Sequence, residues 1–323
     1  MDNKKIYSLL LRLIGLVVFT YILLNIDFKL FFEKICGADA FYLAAGFILT
    51  LGVLIAKSLR WRSILGMLGI AIGSRLSIKL YWLGLYAGIM TPGKLGEVVK
   101  VYFLKHKGFS GFRSLMSVII DRASDVFVIM VSGLFVVAFY MRDLAASIII
   151  VLTAAFCGLI FYVFFRKGAM SAIADGILKR ILNAGAYGRY RSVAGSCSDL
   201  GHVEFKRVGA SLFYLILSWG LYFLANYAIA LSIGIKISPF MLLAVITAAT
   251  IASILPISIA GLGTRDASII YIFALTGLSK ESAVVFSFFI LIIDLIVISF
   301  GLIPYLKESV LVAETKQIGV KAA

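Results

Sequence analysis

The chain has 323 residues, of which 62% are hydrophobic and only 15% are charged. It holds 31 lysine and arginine residues against 16 aspartate and glutamate residues, a formal net charge of +15 at pH 7. Charged residues make up about 25% of a typical soluble domain, so a water-soluble fold would lack the polar surface to cover this many apolar side chains. The composition therefore excludes a soluble nucleic-acid binder, a disordered chain and a secreted disulfide scaffold. It indicates an all-α protein with several membrane crossings.

Nine apolar segments alternate with polar ones along the chain. A transmembrane helix needs about 20 residues to cross the hydrocarbon core. Six segments are predicted to cross; the second of them is short but can be lengthened by the lysine and arginine that follow it, because their aliphatic stems can snorkel. The predicted crossings are residues 6–26, 41–56, 115–140, 144–165, 210–231 and 282–304.

Two further apolar regions are interrupted by charged breaks that contain proline and glycine. Residues 80–90 precede the break at 91–97, and residues 239–257 and 267–277 are the arms around the break at 256–266. Irregular backbone survives at membrane depth only where protein or a wet cavity surrounds it. We therefore predict two re-entrant helical hairpins in addition to the six crossings.

The basic residues indicate the orientation of the chain. With the N-terminus in the cytoplasm and both breaks treated as hairpins, the cytoplasmic segments hold 23 of the 31 lysine and arginine residues and seven acidic residues, whereas the external segments hold five of each. An excess of lysine and arginine in cytoplasmic loops is the usual orientation signal. We predict a multi-pass protein of the cell inner membrane with both termini cytoplasmic. If the short segments crossed fully instead, one basic group would be left outside.

Two cytoplasmic features have alternative interpretations. The stretch Arg60-Trp61-Arg62 is predicted to anchor the chain at the interface, with contact to anionic lipid as the alternative. Residues 166–209 form the one long polar connection, which is either an amphipathic helix on the interface or a plain connector packed on the bundle.

The predicted topology divides the single transmembrane domain, residues 1–323, into two halves. Residues 1–143 and 144–323 each contain three crossings and one hairpin, so the second half is inverted and the hairpins enter from opposite sides. An inverted repeat is therefore a hypothesis from topology. Two acidic pairs with identical spacing support it, whereas the prolines do not fit this register. The pairs are Glu97 with Asp125 and Asp266 with Asp294.

Charged residues at predicted membrane depth are the candidate functional groups. Asp121 and Asp125 are four residues apart and share a helix face, with Arg122 beside it. A charge near the bilayer centre costs about 3 kcal/mol on insertion scales, so such residues usually face the bundle interior or a cavity. The pattern predicts either a polar chamber that receives a charged headgroup or a salt-bridge lock between hairpins and helices. The full set is Asp121, Arg122, Asp125, Arg265, Asp266 and Asp294.

The first break combines charges with glycines in a way that suits an anion. Lys94 and Lys100 flank Glu97, and Gly93 and Gly96 let backbone approach backbone closely. The N-terminal end of a half-helix carries partial positive charge and favours a phosphate or carboxylate, and the same holds at the second break. The alternative is that these lysines are ordinary positive-inside charges.

The cysteines and histidines predict no metal site and no cofactor. Cys36, Cys157 and Cys197 lie far apart in the sequence, and neither His106 nor His202 has a cysteine or histidine neighbour. No nucleotide-binding loop of the G-x-x-x-x-G-K-[ST] type is present, so active transport would need an ion gradient.

Three stretches together resemble the signature regions of a known family. They are TPGKLGEVVKVYFL, SVIIDRASDVFVIM and LPISIAGLGTRDASIIYIFALTGL. In this order, over nearly the whole chain, they are similar to the lysylphosphatidylglycerol synthase transmembrane (flippase-like) family. The chain ends at Ala323, soon after the last predicted crossing, so the resemblance implies the flippase-like part alone, without a synthase domain. The residues that carry the family pattern are Gly93, Gly96, Glu97, Arg122, Asp125, Gly261, Gly263, Arg265 and Asp266.

Residues and resemblance together predict a lipid translocase that carries an anionic, aminoacylated or isoprenoid lipid across or out of the membrane. Its partners would be membrane lipids and a separately encoded lipid-biosynthesis enzyme, not nucleic acid. The alternatives are an intramembrane lipid-modifying enzyme, although no positioned nucleophile lies at membrane depth, and a non-transporting assembly partner of a glycolipid or hopanoid pathway. The expected substrate-binding residues are Gly93, Lys94, Gly96, Glu97, Lys100, Asp121, Arg122, Asp125, Gly261, Gly263, Arg265, Asp266 and Asp294.

Overall fold

The fold is known from a computed structural model, which describes residues 15, 17–89, 91, 96–141, 148, 204–254, 261–303 and 306. Within these residues the regular structure is helical and contains no strand, which confirms the all-α prediction. The crossing predicted at 144–165 and most of the connection 166–209 lie outside them. The helices are α1 (Phe28–Cys36), α2 (Ala40–Met67), α3 (Ser74–Ile89), α4 (Val99–His106), α5 (Gly111–Met141), α6 (Phe205–Ser232), α7 (Pro239–Ile254), α8 (Thr264–Leu275) and α9 (Lys280–Ser299).

In the described part of the chain, α2, α6 and α9 are long and apolar enough to cross a membrane. Helix α2 begins after Asp39, whose carboxylate caps the helix by accepting the Phe41 N–H. It runs well beyond the predicted end at residue 56, because the residues that follow continue a buried helix face that includes Trp61 and Ile64. Residues 57–67, predicted to be a cytoplasmic segment, therefore belong to this helix. The total number of crossings stays a prediction.

Each break separates two helices that pack together; the sequence predicts both arms around the second break but not α4 after the first. Helices α3 and α4 flank the first break, and α7 and α8 flank the second. At the second break Gly261 and Gly263 have φ of +80° and +83°, which side chains other than glycine rarely adopt. Re-entry of these helix pairs into the membrane stays a prediction.

Helices α2 and α6 form the most extensive helix pair of the described chain and run antiparallel. Near the start of α2, a Cβ built on Gly46 would lie 3.0 Å from Ile229 Cγ1 and 3.4 Å from Ala225 O. Near its end, Gly66 lies against the Arg207 side chain at the start of α6. Glycine thus allows the two helices to approach closely.

We expect the Gly46→Leu variant to lose about 1–3 kcal/mol of stability, because the added side chain overpacks the contact between α2 and α6. Gly220→Leu is the matched control, since a Cβ at Gly220 on α6 would meet nothing within 4 Å. The measurement is thermal unfolding of the purified variants in detergent. Equal unfolding temperatures for both variants would contradict the close contact.

Candidate functional site

Arg60 of α2 binds two carboxylates of α5 inside the protein. Its Nε donates to Asp121 Oδ1 at 2.9 Å, and its Nη1 donates to Asp125 Oδ1 at 2.7 Å. Arg60 and Asp121 are both 0% exposed. The spacing of Asp121 and Asp125 correctly predicts a shared helix face, whereas the prediction that Arg60 is an interfacial anchor is wrong. Its guanidinium is buried because two carboxylates together hold it there.

Arg122 links α5 to the first break. Its Nη2 donates to Asp121 Oδ2 and to the Tyr81 hydroxyl, both at 2.9 Å, and its Nη1 lies 3.2 Å from Glu97 Oε1. Glu97 is buried, but the Arg122 side chain is 33% exposed. Among the described residues, no hydrogen-bond partner is in place for Glu97 Oε1 or for Arg122 Nε. The guanidinium of Arg122 therefore stands at the open edge of a buried ion network.

Lys100 of α4 is buried on the other side of Glu97. Its ammonium lies 3.1 Å from Glu97 Oε2, and 4.3 Å and 5.1 Å from the ring centroids of Tyr81 and Trp61. A Cβ on Gly84 would lie 2.7 Å from Lys100 Cγ, so glycine makes room for the lysine stem. This ammonium is enclosed by a carboxylate and two aromatic rings. Lys100 is therefore not a solvent-exposed loop lysine of the kind that only sets membrane orientation.

Two residues connect the network to its surroundings at Asp125. Lys57 Nζ lies 3.6 Å from Asp125 Oδ2, and Trp219 Nε1 of α6 donates to Asp125 Oδ1 at 3.3 Å. Four cations thus face three carboxylates, which leaves one positive charge in excess. We call this group the first charge cluster; it comprises Lys57, Arg60, Glu97, Lys100, Asp121, Arg122 and Asp125.

A second, smaller group lies at the second break. Arg265 donates from Nε to Ser287 Oγ at 3.2 Å, and its Nη2 lies 3.4 Å from Asp266 Oδ1. Asp266 accepts the Gly263 N–H at 2.9 Å and also the Ser287 hydroxyl. Asp266 therefore caps α8 and orients Arg265. Gly263 itself lies against the carbonyl of Gly15, which leaves no room for a side chain.

A cavity of about 100 Å³ lies between α6, α7, α8 and α9. Arg265 and Asp294 are the charged residues in its lining, and Asn226 and Thr250 add polar groups. Apolar side chains such as Phe286 line the rest. The cavity thus offers one cation and one carboxylate in a mainly apolar wall.

The predicted residues fall into these two groups. No ion pair within the described ranges joins the first charge cluster to Arg265 or Asp266. Gly93 and Lys94 lie outside those ranges. Gly96 lies against the Ala87 carbonyl, and its N–H donates to Thr91 Oγ1 at 2.5 Å, so it shapes the first break. Sequence reasoning did not identify Lys57, Arg60 and Tyr81, although the i, i+3 spacing of Lys57 and Arg60 places both on one helix face.

Comparison with known proteins decides the family. Residues 8–301 match the family model described as the lysylphosphatidylglycerol synthase TM region. The chain belongs to this family. A UPF0104 membrane protein of Methanothermobacter thermautotrophicus is 22% identical over 271 residues, which cover 76% of this chain and 77% of that protein. No solved structure matches the chain. The match confirms the resemblance and indicates a lipid-related function in the membrane.

We expect Arg60→Leu to destabilise the protein by about 3–5 kcal/mol, because it leaves two buried carboxylates without their main cation. Arg62→Leu, at the exposed arginine two residues later, is the control. Thermal unfolding in detergent measures the effect. Adding Asp125→Asn to Arg60→Leu should restore part of the loss, because the cluster then keeps its excess of one cation and Asp121 keeps Arg122. A double variant as unstable as Arg60→Leu alone would argue against the ion pair between Arg60 and Asp125.

Proposed function

We propose that the protein translocates an amphipathic lipid across or out of the cytoplasmic membrane, with the headgroup among buried charges and the tails in the bilayer. The first charge cluster carries the proposal. Ion pairs held away from water seldom stabilise a fold better than apolar packing would, and charges within membrane segments usually mark a substrate or ion pathway.

Arg122 is the group best placed to meet a headgroup. It is one-third exposed while Asp121 and Glu97, its partners, are buried. On either side of it along α5 lie the exposed apolar residues Ile119 and Val126, followed one turn later by Met130. This spacing makes one continuous apolar stripe. A headgroup at Arg122 would leave its tails against this stripe.

The charge of the cluster favours an anionic headgroup. Four cations against three carboxylates leave a positive charge to be balanced, and a guanidinium presents several N–H donors to a phosphate or carboxylate. Glu97, which has an oxygen not engaged in a hydrogen bond among the described residues, could receive a cationic substituent on an aminoacylated lipid or carry a proton. The partners of such a protein would be membrane lipids and a separately encoded enzyme that makes them.

We propose transport and not catalysis. Each carboxylate of the first charge cluster lies within 3.6 Å of a cation, so none is positioned as a free general base. The hydroxyl in contact with Arg122 belongs to Tyr81, which accepts from its Nη2 at 2.9 Å, and Ser117 is occupied by accepting the Trp61 indole N–H and donating to Ser114 O.

We expect Arg122→Gln to abolish most lipid translocation, because it removes the exposed cation of the cluster. The assay uses the purified protein in phosphatidylcholine vesicles with a trace of fluorescent phosphatidylglycerol, and follows the rate at which an impermeant reductant quenches the inner leaflet. Arg75→Gln, at an exposed arginine of α3, is the control. Wild-type protein that moves no anionic lipid would refute the proposal, and a new lipid product in the same vesicles would favour an enzyme.

The proposed orientation places α1 outside the cell. Cys36 is exposed at the end of this helix. In a variant whose Cys157 and Cys197 are serine, we expect an impermeant maleimide to label Cys36 in intact spheroplasts. Labelling only after the membrane is permeabilised would show that the N-terminus is not cytoplasmic.

A further inference from the structure

Two successive sets of helices in the described chain match each other in helix length and in the intervals between helices. Helices α2 and α6 have 28 residues each, and α3 and α7 have 16 each. In both pairs the second helix begins and ends at one constant interval after the first, the interval from Ala40 to Phe205, and α8 begins at the same interval after α4. We call this interval the first offset. Such agreement over three consecutive helices is the mark of an internal repeat.

The register changes once, by a single helical turn. Helix α8 has 12 residues and α4 has eight, and α9 begins after α5 at a longer interval, from Gly111 to Lys280, which we call the second offset. The second offset exceeds the first by four positions, which is close to one helical turn of 3.6 residues. The change therefore moves a residue along its helix by about one turn and leaves it on nearly the same face of the helix. By the second offset Asp125 corresponds to Asp294, whereas Glu97 lies before α4, where the first offset holds, and corresponds to Leu262 instead of Asp266.

The equivalent helices α2 and α6 point in opposite directions. Contacts run from Gly46 with Ile229, through Gly52 with Leu221, to the contact between the last turn of α2 and the first turn of α6. Each step forward along α2 meets a step backward along α6. Equivalent helices that pack antiparallel indicate that the two sets are inverted relative to each other.

Under this alignment, four residues of the first charge cluster and the two rings that enclose Lys100 correspond to residues that line the cavity. Six positions in the first set correspond to six lining residues in the second. By the first offset, Lys57, Trp61, Tyr81 and Lys100 correspond to Tyr222, Asn226, Ile246 and Arg265, and by the second, Asp121 and Asp125 correspond to Ile290 and Asp294.

The first charge cluster is packed, whereas the equivalent region of the second set contains the cavity. In the first set the aromatic rings and the Lys100 side chain fill the space. In the second set Asn226 stands for Trp61 and Ile246 for Tyr81, and both replacements are smaller. Tyr222 and Ile290 are larger than Lys57 and Asp121, but the change from tryptophan to asparagine is the largest of these differences, and a net loss of side-chain volume leaves a cavity. The one cation and the carboxylate retained there are Arg265 and Asp294.

We infer that α2–α5 and α6–α9 are inverted copies of one unit, and that the cavity beside Arg265 is the open counterpart of the first charge cluster and binds a phosphate ester. Arg265 receives the phosphate: its bonds to Ser287 and Asp266 use Nε and Nη2, and a guanidinium has five N–H donors. Asp294 accepts from hydroxyl or ammonium groups of the ligand.

The cavity reaches the surface beside an apolar face. Thr250, Ser253 and Asp294 in its lining are half-buried, whereas Arg265 is buried. The exposed residues next to them include Ile251 on α7. A lipid can therefore insert its headgroup and leave its tails outside. This step rests on the proposed function, whereas the phosphate chemistry of the cavity does not.

The test fills the cavity and measures binding. Purified full-length protein in an uncharged detergent is titrated with dihexanoyl phosphatidylglycerol and, separately, with glycerol 3-phosphate. Ala249→Leu fills the cavity from its buried wall, and Thr250→Phe fills it from the half-buried side, where folding is least affected. Ala274→Leu, at an exposed alanine of α8, is the matched control. Thermal unfolding checks that each variant is folded.

We expect both filling variants to weaken binding at least about tenfold, a loss of about 1.4 kcal/mol, while Ala274→Leu binds as the wild type does. Binding of the lipid alone would assign the cavity to a lipid headgroup, and binding of both ligands would assign it to phosphate esters in general. Folded filling variants that bind as the wild type does, or a wild type that binds neither ligand, would overturn the inference.

Translocation in vesicles separates this inference from the proposed function. If the filling variants bind and transport normally while Arg122→Gln does not transport, the inference fails and the proposed function stands. If filling abolishes binding but even the wild type moves no lipid, the proposed function fails and the inference stands.

Discussion

The structure depends on one buried guanidinium. Arg60 holds Asp121 and Asp125 on the same face of α5, and Asp121 and Asp125 in turn hold Arg122 toward the first break. Removing Arg60 would leave the carboxylates close together and away from water, a situation that costs several kcal/mol per uncompensated charge. The position of α5 against α2, and with it the geometry of Glu97 and Lys100, follows from this contact.

Helix α6 connects the first charge cluster to the cavity. Its Trp219 donates to Asp125, and its Tyr222, one turn later, lines the cavity and makes an edge-on ring contact with Trp219 at 5.8 Å. The same helix packs along α2 for most of its length. A shift of α6 relative to α2 would therefore act on both places together, which is the physical coupling that the proposed transport between the two inferred units would require.

Sequence reasoning succeeded where the signal is local and failed where a partner is distant. The breaks, the shared face of Asp121 and Asp125, and the all-α membrane fold follow from glycine, proline, apolar runs and the spacing of charges. Arg60 follows an apolar run and reads as a snorkelling anchor, because its partners come 61 and 65 residues later. Local sequence also gives no reason for Lys100 to be enclosed by Trp61 and Tyr81, since only the packing of α2, α3 and α4 brings those rings together.

The register of the inferred repeat also could not be obtained from local sequence alone. The second offset aligns the acidic pairs but misaligns the helices before them, because α8 is one turn longer than α4. When the alignment includes that extra turn, the two halves differ in which side chains occupy equivalent positions. The first unit fills its centre with its own lysine and rings, and the second keeps Arg265 and Asp294 around open space. An ammonium already held by Glu97 and two rings leaves little room for a ligand, whereas a cavity lined by a guanidinium and a carboxylate has room for one. In the inferred repeat the two units thus differ: the first is a packed group of ion pairs with Arg122 at its edge, and the second holds the cavity that we propose as the binding site.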